Sequence, residues 1–200
     1  MAGIQQVSGR AVALDRRDVD TDQIIPASWL KRVERTGFAP GLFGAWRADP
    51  DFVLNQPGAA EAKILVGGTN FGCGSSREHA VWALQDFGFQ AVVSSRFADI
   101  FRGNCISAGL VPVETDETTV TALFEALAAD PDATVTVDVA ARTVSIPSAG
   151  ISESFTLADF AQWRLLEGLD DVALSLRHED AIAAFEAGRP SWLPAVTAGR

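Results

Sequence analysis

The sequence predicts an α/β fold, a β-sheet with helices packed on it, and two observations carry that prediction. Apolar runs too short to be helices, at 64–66, 91–93 and 110–113, alternate with segments whose apolar residues recur every three or four positions. Strand, helix, strand, helix, strand in that tempo is the pattern of βαβ units. The chain is also 200 residues long, 48% hydrophobic and 21% charged, long enough to bury a real core and too ordinary for wholesale disorder. Without an internal repeat or a strong boundary, residues 1–200 read as one domain whose part from about 155 to 190 is a helical extension.

In chain order, residues 7–14 alternate loosely and read as a first strand, which runs into a polar loop, 15–26, stopped by Pro26. Residues 27–44 mix a basic patch, Lys31-Arg32-Val33-Glu34-Arg35, with Gly37, Pro40, Gly41 and Gly44 and with bulky Trp29, Leu30, Phe38, Leu42 and Phe43. Such a segment is either a mobile loop or lid over a site, or a surface loop with solvated charge. The run 64–66 is a buried strand ended by Gly67-Gly68, and Ala80, Val81, Ala83, Leu84 and Phe87 repeat as a helix through Gly88. Residues 91–93 are the next strand, Phe97, Ile100 and Phe101 open a short helix, and 110–113 are a further strand. A helix over 118–129 is stopped by Asp130-Pro131. Val135, Val137 and Val139, then Val144 and Ile146, alternate across a turn at 140–142 and predict a hairpin. Residues 158–166 and 177–187 read as amphipathic helices, the second ended by Arg189-Pro190.

Between the strand at 64–66 and its helix lies Gly72-Cys73-Gly74-Ser75-Ser76-Arg77, a glycine-rich loop that delivers two hydroxyls and an arginine to a helix start. The first turn of a helix has free N–H groups and partial positive charge, so it attracts an anion. Glycines allow close backbone approach, and an arginine fork can grip a carboxylate or phosphate with two hydrogen bonds. Two phosphate loops are excluded: no lysine follows Gly74, and the third dinucleotide-binding glycine is replaced by Arg77. The plainer alternative is that the serines cap the helix while Arg77 pairs with Glu78 or Glu61. A calcium loop at Asp18, Asp20 and Asp22 is rejected, because Gln23 takes the glycine position and Trp29 the twelfth. Asp18 and Asp20 then read as solvated loop carboxylates.

A net charge of −10 without a basic block makes nucleic acid a poor partner. No apolar run reaches the length of a membrane span, and the N-terminus lacks the pattern of a signal peptide. Two cysteines, Cys73 and Cys105, form no disulfide framework and point to a reducing, cytoplasmic setting. They are too few to hold an iron–sulfur cluster or a Cys-rich zinc site alone, and two histidines make Cys-His zinc ligation arithmetically possible but nothing has the spacing, so no metal ligands are assigned and any metal is expected from elsewhere.

The run Asn70-Phe71-Gly72-Cys73-Gly74-Ser75-Ser76-Arg77-Glu78-His79-Ala80 resembles the active-site loop of the aconitase superfamily's swivelling domain. Val19-Asp20-Thr21-Asp22-Gln23-Ile24-Ile25-Pro26 resembles the acidic loop of the same domain. With the glycine-rich segment after Trp29, the run 97–105 and the run 165–172, the chain is similar to 3-isopropylmalate dehydratase small subunits over about residues 1–187, with no counterpart for the tail from 190.

The resemblance implies a swivelling β/β/α arrangement and a hydro-lyase of leucine biosynthesis that interconverts 2-isopropylmalate and 3-isopropylmalate. It implies a large partner subunit that holds a [4Fe–4S] cluster, a small dicarboxylate substrate, and a site open on the face the partner completes. By the same resemblance Ser75 is the base, and Asp22 an active-site aspartate that orients groups near the cluster or helps move a proton. Gly74, Ser76 and Arg77 hold a substrate carboxylate. Among Lys31, Arg32 and Arg35, near the substrate's variable group, Arg32 and Arg35 are the candidates for a further carboxylate contact. His79 is expected to make a structural hydrogen bond, Cys73 to be a small buried residue or a reactive thiol, Cys105 to be core, and His178 to be solvated. The alternatives are the same reaction on citramalate or homocitrate, with specificity set in 27–44, and a non-catalytic anion-binding module.

Overall fold

The computed structural model describes residues 2–32, 34–190 and 192–193. Val33 of the basic patch and most of the tail, 191 and 194–200, lie outside the described residues. The described elements run β1 (Gln6–Leu14), α1 (Thr21–Ile24), β2 (Ile64–Gly67), α2 (Glu78–Phe87), β3 (Ala91–Ser94), α3 (Asp99–Ala108), β4 (Val111–Glu114), α4 (Glu117–Ala129), β5 (Thr134–Asp138), β6 (Thr143–Ile146), β7 (Ile151–Ser154), α5 (Asp159–Glu167), α6 (Asp171–Leu176) and α7 (Glu179–Ala187).

The strands make one seven-stranded sheet in the order β4-β3-β2-β1-β5-β6-β7. Strands β1 to β4 are parallel, and β5 to β7 continue as an antiparallel meander. The change of sense occurs within β1: Gln6 to Arg10 pair with β5, and Ala11 to Leu14 pair with β2. The α/β class read from the sequence is thus present as a mixed sheet.

The short apolar runs are strands buried on both faces. Because side chains alternate along a strand, Val12, Leu65 and Val92 join a core with α2 and α3, and Ile64, Val66, Ala91 and Val93 join a second core with α4 and α5. Helices on both sides of the sheet leave the C-terminal ends of β1, β2 and β3 free to carry loops.

Residues 27–44 form part of a strap wound in short 3-10 turns, Ala27–Lys31 and Ala39–Gly41 among them. The apolar residues of this strap are core. Phe38, Leu42 and Phe43 are fully buried, Phe43 stacks on Trp46, and the Phe38 N–H donates to the Asp86 carboxylate of α2 at 2.7 Å. Lys31, Arg32 and Arg35 face solvent. The two readings open in the sequence are both partial, because burial splits this segment along its apolar and charged faces.

Three short elements escape sequence periodicity. Helix α1 has one turn, β7 exposes three of its four residues, and α6 starts from an Asp170 cap. The expected helix over 177–187 begins only at Glu179, past the break at Arg177-His178. Neither α6 nor α7 buries a residue, and Val172, Leu176, Ile182 and Phe185 are exposed. Amphipathic spacing here does not mark a face packed on the sheet. Among the described residues no helix is long and apolar enough to cross a membrane.

Candidate active site

The two motif loops leave the C-terminal ends of adjacent parallel strands, β1 and β2, the usual place for a ligand crevice in such sheets. On one side, β3 supports the serine loop. The buried Ser94 hydroxyl donates to Gly68 O at 2.6 Å, the Phe71 N–H donates to Arg96 O, and the Ala98 N–H donates to Phe71 O. On the other side the acidic loop is laced to it: Asp18 N–H donates to Thr69 O, Gly72 and Cys73 N–H donate to Val19 O, and Thr21 N–H donates to Cys73 O. Asn70 Nδ2 donates to the Asp18 carboxylate at 2.8 Å, and Thr21 Oγ1 donates to Ser75 O at 2.8 Å. Side-chain and backbone bonds together make one unit of the two loops.

Two glycines allow the turn for different reasons. Gly72 has φ +75°, and a Cβ there would lie 2.1 Å from the Phe101 ring, so it is required by packing against α3 rather than by a ligand. Gly74 has φ +89° with Asp20 Cβ at 3.4 Å from a built Cβ, so backbone conformation is its main constraint. Phe71 lies fully buried beneath the loop, its ring centroid 5.6 Å from that of Phe101.

From Gly74 onward the backbone stops donating. The N–H groups from Gly74 to His79 donate to no protein acceptor among the described residues. Ser75 and Ser76 are exposed beside them, and α2 starts at Glu78 with its macrodipole behind the run. Arg77 is the N-cap rather than a first-turn residue, and neither serine caps the helix. Arg77 pairs with Asp22, not with Glu78 or Glu61, and its Nη1 also lies 3.4 Å from Ile25 O. The Arg77 side chain is 14% exposed and that of Asp22 53%, so the guanidinium is sheltered and the carboxylate sits at the surface. Unpaired donors, an exposed hydroxyl and a fixed guanidinium together suit a carboxylate.

Asp20 is no solvated carboxylate. It caps α1, accepting from Gln23 N–H at 2.8 Å while Gln23 Oε1 accepts from Asp20 N–H at 3.0 Å. Burial, followed by the Asp20 and Asp18 charges, raises the Cys73 thiol above its ordinary value, which disfavours a reactive thiolate. Cys105 is fully buried core, and burial raises its thiol well above the ordinary value. His79 packs against aromatics, edge-on to Phe38 at 5.4 Å and tilted to Trp82 at 4.7 Å, where a structural hydrogen bond was expected. His178 is exposed ahead of α7.

Arg32 folds back on its own segment, over the Trp29 ring at 4.3 Å and donating to Gly37 O at 3.0 Å. Arg35 stands over Trp82 of α2 at 5.6 Å, which brings the strap's charge to the helix that opens at the site. No hydrogen bond or ion pair joins Lys31, Arg32 or Arg35 to residues 72–77 among the described residues. A buried polar residue bonded to the serine loop that sequence reading passed over is Thr21, between two aspartates, whose only signal was its place in the motif. No group of three or more His, Cys, Asp or Glu gathers to hold a metal among the described residues, and the two thiols lie in separate, thiol-favouring surroundings. Two separated thiols among the described residues do not make the thiolate set an iron–sulfur cluster needs.

Residues 1–118 match the aconitase C-terminal domain family, and residues 171–198 match the C-terminal domain of the 3-isopropylmalate dehydratase small subunit. A 3-isopropylmalate dehydratase small subunit of Frankia casuarinae is 63% identical over 187 residues, covering 94% of this chain and 95% of that one. The chain belongs to the family of 3-isopropylmalate dehydratase small subunits. A dehydratase small subunit of Rubrobacter xylanophilus is 55% identical over 196 residues, covering 98% of this chain and all of that one. Among solved structures, a 3-isopropylmalate dehydratase of Methanocaldococcus jannaschii superposes with a TM-score of 0.67 at 27% identity, over 90% of this chain and 99% of that one. The small-subunit match reaches residue 198, into the tail for which the sequence reading had no counterpart.

Proposed function

We propose that this chain is the small subunit of a hydro-lyase that interconverts 2-isopropylmalate and 3-isopropylmalate in leucine biosynthesis. Family membership supports the reaction. The observation that supports the site is the run of unpartnered amides from Gly74 to His79, with exposed Ser75 inside it and Arg77 beside it. The substrate is a dicarboxylate, and one carboxylate is held by Arg77, by Ser76 and by the amides beginning at Gly74.

Ser75 is the base that takes the proton from the carbon next to that carboxylate. A free serine hydroxyl is far too weak an acid for the task, so its alkoxide needs the neighbouring donors and cation. The same donors stabilise charge that moves onto the carboxylate in the transition state. Asp22 orients the Arg77 fork, a role its ion pair supports. Arg32 and Arg35 belong to the strap beside the substrate's variable group, and Arg35, held against α2, is the better placed. A [4Fe–4S] cluster on the large subunit would supply the Lewis acid to which the hydroxyl departs.

Residues 1–200 are taken as one swivelling domain with the helices of about 155–190 as its extension. The chain works in the cytoplasm, consistent with two free cysteines among the described residues. Anaerobic mixing with the large subunit tests the reading. The mixture should convert 2-isopropylmalate while each subunit alone is silent. A cluster-loaded complex that ignores isopropylmalate and dehydrates citramalate or homocitrate would overturn the substrate.

A further inference from the structure

Four hydrogen bonds join the turn at 19–21 to the serine loop. Three are backbone to backbone, from Gly72 and Cys73 N–H to Val19 O and from Thr21 N–H to Cys73 O. The fourth comes from a side chain: Thr21 Oγ1 donates to Ser75 O at 2.8 Å. Thr21 is 1% exposed and opens α1 directly before Asp22.

We propose that Thr21 is a positioning residue that holds the Ser75 backbone in its working orientation, an inference that rests on the dehydratase reading above. A trans peptide places its C=O and N–H on opposite sides. Anchoring Ser75 O on the Thr21 hydroxyl therefore turns the Ser76 N–H, in the same peptide unit, away from α1. That N–H belongs to the run without protein acceptors. Thr21 thus fixes the backbone of the base together with the donor next to it, which must be aimed before charge develops. The same residue begins the turn that carries Asp22, the partner of Arg77, so base and guanidinium share one frame. The hydroxyl, not the shape of the side chain, does this.

Two variants separate hydroxyl from shape. Thr21→Val keeps the outline and loses the donor, whereas Thr21→Ser keeps the donor and loses a buried methyl. Each is assembled with the large subunit, beside wild type and Ser75→Ala, and kcat and KM for 2-isopropylmalate are measured. Nitrogen-15 relaxation of the full chain reports on the Ser75 and Ser76 amides. Thr21→Val should lower kcat by about 10- to 100-fold, as loss of alignment does, with KM within about threefold. Thr21→Ser should stay within about threefold of wild type. The two amides should fall from an order parameter of about 0.85 toward about 0.6 in Thr21→Val and not in Thr21→Ser. A packing role reverses the order, with Thr21→Ser the worse enzyme, and that reversal or an unchanged Thr21→Val overturns the inference. If wild type leaves isopropylmalate untouched, or Ser75→Ala keeps full rate, the dehydratase reading fails instead. The amide order parameters then decide Thr21 by themselves, and unchanged values in Thr21→Val overturn it.

Discussion

Arg77 shows how much a single side chain is asked to do. It meets Asp22 and approaches the Ile25 carbonyl through the same nitrogen, which leaves the rest of the guanidinium for a ligand. A lysine keeps the charge but has no planar fork to serve two partners at once. Arg77→Lys should therefore raise KM for isopropylmalate about tenfold or more in steady-state assays of the assembled enzyme. Motif order and residue type single out Ser75, Ser76, Arg77 and Asp22 in the sequence, and the structure sets the two exposed serines beside the Arg77–Asp22 pair. The partner of Arg77 was not, since sequence-near Glu78 and Glu61 competed on equal terms with a carboxylate 55 positions away. Thr21 was invisible as an individual for the same reason: a long-range bond to Ser75 leaves no mark on local composition.

At the scale of elements, the site depends on two features that touch no substrate. The first is the cap of α1, where Asp20 and Gln23 satisfy each other's backbone donors. Asp20→Ala should cost about 1 kcal/mol in urea unfolding, and it frees the turn that holds Thr21 and Asp22. The second is the contact of Gly72 with Phe101. Gly72→Ala puts a methyl into that ring and a side chain at positive φ, so it should destabilise by about 2–4 kcal/mol, seen as an earlier unfolding midpoint. Its effect should shrink when Phe101 is also trimmed to alanine, which removes the ring atom 2.1 Å from the new methyl. Strands and long helices were readable because burial on both faces and 3.6-residue periodicity are strong signals. One-turn α1, exposed β7 and α6 were not, because each has too few buried residues to establish a period. The strap was half readable: its charges suggested a surface loop, but only the structure shows Phe38, Leu42 and Phe43 inside.

For the whole molecule, parallel and antiparallel halves share β1, and the loops that matter leave the end of the parallel half. Cys105, deep in the core behind those loops, ties global stability to pH. Its folded thiol keeps its proton to a pH well above the one at which the unfolded thiol releases it. Between those values the folded state binds more protons, so stability falls as pH rises from the unfolded thiol's ordinary value toward the folded one. Urea midpoints should fall between about pH 8 and pH 10, and less steeply in Cys105→Ala. The expectations of a swivelling arrangement and of a site completed by a partner came from the family's motifs, since no local pattern reports which face lies against a second protein. The central claim is that Ser75 removes the proton from the carbon next to the bound carboxylate. The measurement that tests it most directly is uptake of deuterium from heavy water into isopropylmalate by the assembled enzyme, wild type against Ser75→Ala. Uptake should fall by about 10²- to 10⁴-fold in a variant that still assembles and binds substrate. Uptake at the wild-type rate by an assembled Ser75→Ala enzyme would contradict it.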